Sequence, residues 1–133
     1  MAVRIKNLKS FNREIKTFGV EVMPTDHLKL QKRIAVDLLR RIVFRTPVDT
    51  GRARGNWQVS RGGGGGSPLE SFDKSGAATF AKGASAISGL KPFGIISIFN
   101  NVEYINLLEG GSSSQFPSGM VAISLAETEA QFR

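Results

Sequence analysis

The 133-residue chain has no cysteine and only one each of tryptophan, tyrosine and histidine. Without cysteine there is no disulfide framework and no thiolate metal site, an absence that fits a reducing compartment. The single histidine, His27, has no histidine or carboxylate at metal-ligand spacing and reads as a surface residue in the first turn of a helix. Long apolar runs are missing too. No stretch approaches the ~20 apolar residues of a membrane span. Met1-Ala2-Val3-Arg4-Ile5-Lys6 lacks the apolar core of a secretory leader, so neither leader nor membrane partner is expected. Acidic residues are scarce in the first half. Residues 1–61 hold 14 Lys/Arg against 5 Asp/Glu, and residues 62–133 hold 4 against 6, so the net +7 is built as +9 and −2. That asymmetry points to an acidic partner or nucleic acid, or else to a solvated helix face.

With 41% hydrophobic and 22% charged residues, the chain has the composition of a globular protein, and its length suits a single domain over residues 1–133. Leu8, Phe11, Ile15, Phe18 and Val22 form one apolar stripe at helical spacing, with Lys9, Arg13 and Lys16 off it. Pro24 is expected to break this helix, and Thr25 or Asp26 to cap a second one. In the second, Leu28, Ile34, Ala35, Leu38, Leu39 and Ile42 make an apolar face, opposite Lys29, Arg33, Asp37, Arg40 and Arg41. It should end near Arg45, because a residue before proline, here Thr46 before Pro47, avoids the helical region.

A strand is expected over 56–60, then an exposed, flexible loop over 61–75 built on five consecutive glycines, Gly62–Gly66. Phe80, Ala84 and Ile87 suit a short helix ended by Gly89. The run Phe93–Phe99 reads as a strand buried on both faces. Tyr104, Leu107 and Leu108 fit a helical turn closed by Gly110-Gly111. A last helix from Pro117 or Ser118 would turn Val121, Leu125 and Phe132 inward, although Val121, Ile123 and Leu125 also alternate like a strand.

The densest cluster of unusual residues is Thr46-Pro47-Val48-Asp49-Thr50-Gly51-Arg52-Ala53-Arg54-Gly55-Asn56-Trp57. Asp49-Thr50-Gly51 matches the signature of aspartic proteases. There, however, the tripeptide follows a hydrophobic strand, so that two carboxylates share a proton in a dry site. Here it lies between Arg45-Thr46-Pro47 and Arg52-Ala53-Arg54, and nearby cations keep a carboxylate ionised. A turn explains it better: Asp49 can accept bonds from backbone N–H groups two residues on, and Gly51 can take positive φ. The glycine run is no phosphate loop, because Ser67-Pro68 follows where Lys-Ser/Thr is needed. No nucleophile–base set can be assembled. Neither catalytic residues nor a cofactor or metal are therefore expected. Arg40, Arg41, Arg45, Arg52, Arg54 and Arg61 cluster around the helix end and corner, where they can meet phosphates or carboxylates on a neighbour. Trp57 suits core packing, with base stacking as the alternative.

Taken in order, the basic helix, "RTPVDTGRARGNW", the glycine-bearing loop, "NNVEYINLLEGGSS" and "FPSGMV" resemble the head–tail connection family of long-tailed bacteriophages, also described as neck, tail-completion or putative minor tail proteins. The resemblance spans about Phe11 to Val121, and the glycine tract is its least family-like part. It implies a structural virion protein rather than an enzyme. Copies would form a ring at the head–tail junction, next to other neck and tail-tube proteins, with genomic DNA passing through the lumen. Its place would be the virion, after assembly in the host cytoplasm. It also implies an α+β fold, with two N-terminal helices packed on a small, mostly antiparallel sheet and short C-terminal helical elements. Pro47, Asp49, Thr50, Gly51 and Trp57 would form a structural corner. The alternative is a small basic module that binds nucleic acid without sequence preference.

Overall fold

In the computed structural model the described residues are 23–111, 115 and 119–132. The expected first helix, with its stripe Leu8 to Val22, lies outside them. Helix α1 runs Met23–Arg45. Pro24 falls in its first turn, where a missing N–H breaks no intrahelical bond. Thr25 and Asp26 are therefore inside the helix rather than at its cap, with Asp26 in a first turn that favours negative charge. After α1 come a single turn α2 (Arg52–Gly55), strand β1 (Trp57–Ser60), helix α3 (Ala77–Ser88), strand β2 (Ser97–Asn100), the short α4 (Ile105–Glu109) and helix α5 (Met120–Gln131).

The fold is α+β. β1 and β2 pair antiparallel, with Trp57 opposite Asn100 and Ser60 opposite Ser97, and the long connection between them carries the glycine tract and α3. Helix α1 is the hub, with α3 and α5 both packed against it. Ala35, Leu39, Ile42 and Val43 recur at helical spacing and meet Trp57, Ile87 and Met120 in one core. Gly83 lets α3 come close: a Cβ there would lie 2.4 Å from Leu39 Cδ2 and 2.9 Å from Val59 Cγ2.

Three further expectations need correcting. The strand read over Phe93–Phe99 is only Ser97–Asn100, and it is half-buried rather than enclosed. Phe93 has φ +60° in the turn closed by the Gly94 N–H to Lys91 C=O bond, and Phe93 and Ile95 are 60% and 67% exposed. Residues 121–125 are helical, but Leu125 faces outward; Met120, Ser124 and Thr128 make the buried face of α5. The reason lies in α1. The face bearing Asp37 and Arg41 is not turned to water, because α5 covers it with polar side chains that pair with those charges, Thr128 with Asp37 and Glu127 and Gln131 with Arg41. Finally, the loop over 61–75 is exposed through Gly63–Ser67, but its second part is attached to the body. Buried Asn56 donates to Leu69 C=O (3.1 Å) and Arg52 C=O (2.7 Å), and its Oδ1 accepts the Leu69 N–H.

Candidate interaction site at the corner

The corner begins where α1 ends. The Thr46 N–H donates to Ile42 C=O at 3.1 Å, and its hydroxyl donates to the same carbonyl at 2.7 Å. That hydroxyl also accepts the Trp57 indole N–H at 2.7 Å. Thr46 and Trp57 are both buried, so the only indole polar group is satisfied inside the core. Pro47 is buried, and Val48 is held on both backbone atoms by the amide of Gln115, at 2.8 Å each. Gly51 has φ +88°, and a Cβ there would fall 2.7 Å from Lys74 N and 2.8 Å from Asp73 C. Its carbonyl accepts the Gly55 N–H at 2.8 Å and the Asp73 N–H at 3.0 Å.

Asp49 does not make the turn bond expected of it. It is exposed and bonds to no other described residue, while Thr50 Oγ1 accepts a long 3.3 Å bond from the Arg52 N–H. The carboxylate that organises this region is Asp73, which the sequence reading passed over. Asp73 accepts the Gly76 and Thr79 N–H groups at 3.0 and 2.9 Å and the Thr79 hydroxyl at 2.7 Å, closing the open N-terminus of α3. The Thr79 bonds hold its carboxyl below the usual range. Asp-Lys-Ser-Gly just before an apolar helical run was the available signal.

The six arginines fall into different environments. Arg41 and Arg45 both bond the Glu127 carboxylate on α5; Arg41 also reaches Asp37 (2.8 Å) and Gln131 (2.7 Å), and Arg45 reaches Ser124 (3.3 Å). Arg40 bonds Asp37 at 3.1 Å from a largely exposed position. Asp37 is 7% exposed: burial raises its pKa, but bonds from Arg41, Thr128 and Arg40 outweigh that and hold it below the usual range. Arg52 grips Glu103 with two bonds, 2.8 and 3.2 Å, beside the Tyr104 ring, and lowers the Glu103 pKa. Arg54 donates to three carbonyls, Lys74 (2.7 Å), Thr46 (2.8 Å) and Phe44 (3.2 Å), satisfying the end of α1. Arg61 donates to Gly89 C=O (2.8 Å) at the end of α3, where Lys32 likewise reaches Ser88 C=O (2.9 Å).

The remaining pieces join the same frame. Asn100 Nδ2 donates to Ala53 C=O at 2.8 Å, tying β2 to α2. Glu109, ending α4, accepts the Val121 and Ala122 N–H groups at 2.8 and 2.9 Å, so its carboxylate caps α5. Gly119 has φ +80°, and a Cβ there would lie 2.6 Å from Glu109 C=O. Between these parts opens a cleft of about 340 Å³ walled by Pro47, Asp49, Thr50, Tyr104, Leu108 and Gln115. Among the described residues no group of three or more His, Asp or Glu side chains is placed to hold a metal ion. Exposed His27 stacks on Phe93, with ring centroids 5.5 Å apart. Comparison with protein-family models, curated proteins and solved structures finds no match.

Proposed function

We propose that the chain is a structural subunit of a tailed-phage neck, a ring-forming tail-completion or head–tail joining component around the DNA passage. One observation carries this reading. The described parts of three stretches on which the resemblance rests, 45–57, 100–111 and 119–121, meet in one braced unit, although the first is well separated in sequence from the other two. Arg52 holds Glu103, Asn100 holds Ala53, and Glu109 caps α5. A subunit that joins two large bodies needs a stiff surface. Multiple charge-assisted bonds between separate elements provide one.

The same bonds weigh against a DNA grip built from all six arginines. Arg41, Arg45 and Arg52 are engaged by carboxylates of their own chain, and Arg54 by backbone carbonyls. Arg40 and Arg61 also bond within the chain, to Asp37 and to the Gly89 carbonyl, but both are exposed and can still meet phosphates or a neighbouring subunit. The test is made on particles produced without this chain. DNA-filled heads and separate tails should accumulate, and adding the purified protein should join them. Normal tailed particles in its absence would rule the proposal out.

A further inference from the structure

A second cavity lies apart from the corner cleft. It has a volume of about 360 Å³ and opens between β1, the return segment 69–73 and α3. β1 lines it with three consecutive residues, Trp57, Gln58 and Val59. Successive strand side chains point to opposite faces, so a space that meets all three runs along the edge of the strand. That edge is free. β2 pairs with the other one; among the described residues the sheet has only these two strands, and no backbone bond joins 57–60 to 69–73. The gap has a cause. The return segment is pinned at the start of β1, where Asn56 bonds Leu69 and a Cβ on Gly55 would lie 2.8 Å from Ser71 C=O. It then turns away, because the Asp73 carboxylate is bonded to the N-terminus of α3. The α3 wall adds little bulk, with Ala78, Gly83 and Ala86 facing the space.

We propose that this edge of β1 takes an extended acidic peptide contributed by a partner protein. An unpaired strand edge is a template for one more strand. The walls say what that strand carries. Gln58 Nε2 is buried with no hydrogen-bond partner among the described residues, and a buried donor left so calls for a carbonyl or carboxylate oxygen. Lys82, on the α3 wall, is exposed and bonds to no other described residue. The one carboxylate in the lining, Asp73, is already taken by Gly76 and Thr79. The free charge facing the cavity is therefore positive, and an acidic strand complements it. A second copy carries the same net +7 and is the poorer complement. Phe72, 58% exposed in the return segment, offers apolar surface to the alternate side chains of the incoming strand. This inference stands independently of the functional reading.

Trp57 is the only tryptophan and lines the cavity, so its fluorescence reads binding. The probe is a short capped peptide of alternating Val and Glu, titrated into the full-length chain up to millimolar concentration. A saturable change in emission is expected, with slower amide exchange at 57–60. The same peptide N-methylated at every residue should not bind, because it has no N–H groups to give the edge. Lys82→Glu alters an exposed side chain and should leave the fold intact. It should weaken binding of the Glu peptide about tenfold and let a peptide with Lys in place of Glu bind instead. No saturable binding of the Glu peptide would overturn the proposal, as would equal binding of the methylated peptide or of the Lys peptide by the unaltered chain. Protection at 57–60 that rises with protein concentration in the absence of peptide would make a second copy the occupant and overturn it equally.

Discussion

At the scale of single residues, the corner depends on buried groups whose partners lie elements away. Thr46 bonds both the end of α1 and the only indole. Thr46→Val keeps the shape but leaves the buried Trp57 N–H unpaired, and should cost about 1–3 kcal/mol. Urea unfolding followed by Trp57 fluorescence measures it. Asp49 and Asp73 make a sharper comparison. Asp49→Ala should change stability by no more than about 0.5 kcal/mol, whereas Asp73→Ala removes the cap of α3 and should cost about 0.5–2 kcal/mol. The sequence pointed to the wrong aspartate because a turn signature is local, whereas a cap depends on where the next helix starts. Acid should act through the same carboxylates. Asp73, Glu103 and Glu127 are held low by hydrogen bonds, from Thr79, Arg52 and Arg45 respectively, and Asp37 is low despite its burial. Their contribution is fully present above the unfolded values near 4 and is lost as pH falls through the lower folded values. Urea midpoints should therefore drop on acidification below about pH 4–5, and less steeply in Asp73→Ala.

At the scale of elements, the sequence showed periodicity well and packing partners poorly. The end of α1 at Arg45, the helix around Phe80–Ile87 and the β1 strand were legible from spacing, proline and glycine. The inward side of α5 was legible only in part: Val121 packs against the core as expected. The buried face of α5 comes from Met120, Ser124 and Thr128, because the α1 face it covers carries Asp37, Arg41 and Arg45, while Leu125 is left half-exposed. Hydrophobicity alone cannot find a polar seam. Gly83 was legible as a weakness in a helix but not as a contact. Gly83→Ala gains about 1 kcal/mol of helix propensity, yet forces a methyl against the fully buried Leu39. The overpacking, of about 1–3 kcal/mol, should win, and the thermal midpoint should fall. A raised midpoint would mean that Leu39 moves aside at little cost.

At the scale of the whole molecule, the arginines divide into a bracing set and a surface set. The sequence placed them near one corner but could not show the groups that reach them, from Asp37, Phe44 and Thr46 nearby and from Lys74, Gly89, Glu103 and Glu127 far along the chain. Arg54→Ala should destabilise by about 1–3 kcal/mol, since three carbonyls lose a charged donor. Arg40→Ala with Arg61→Ala should leave the fold intact, and in the proposed neck it separates two roles. Leaked DNA with tails attached would place these side chains toward the lumen, where contacts are to phosphates and weaken with salt. Full heads without tails would place them at a protein interface. The proposed place in the particle is tested most directly by electron microscopy of purified tailed particles at a resolution that identifies the chain. A ring of copies at the head–tail junction, encircling the DNA channel, is the expected result. Particles whose junction is built without this chain, or density for it only elsewhere, would contradict it.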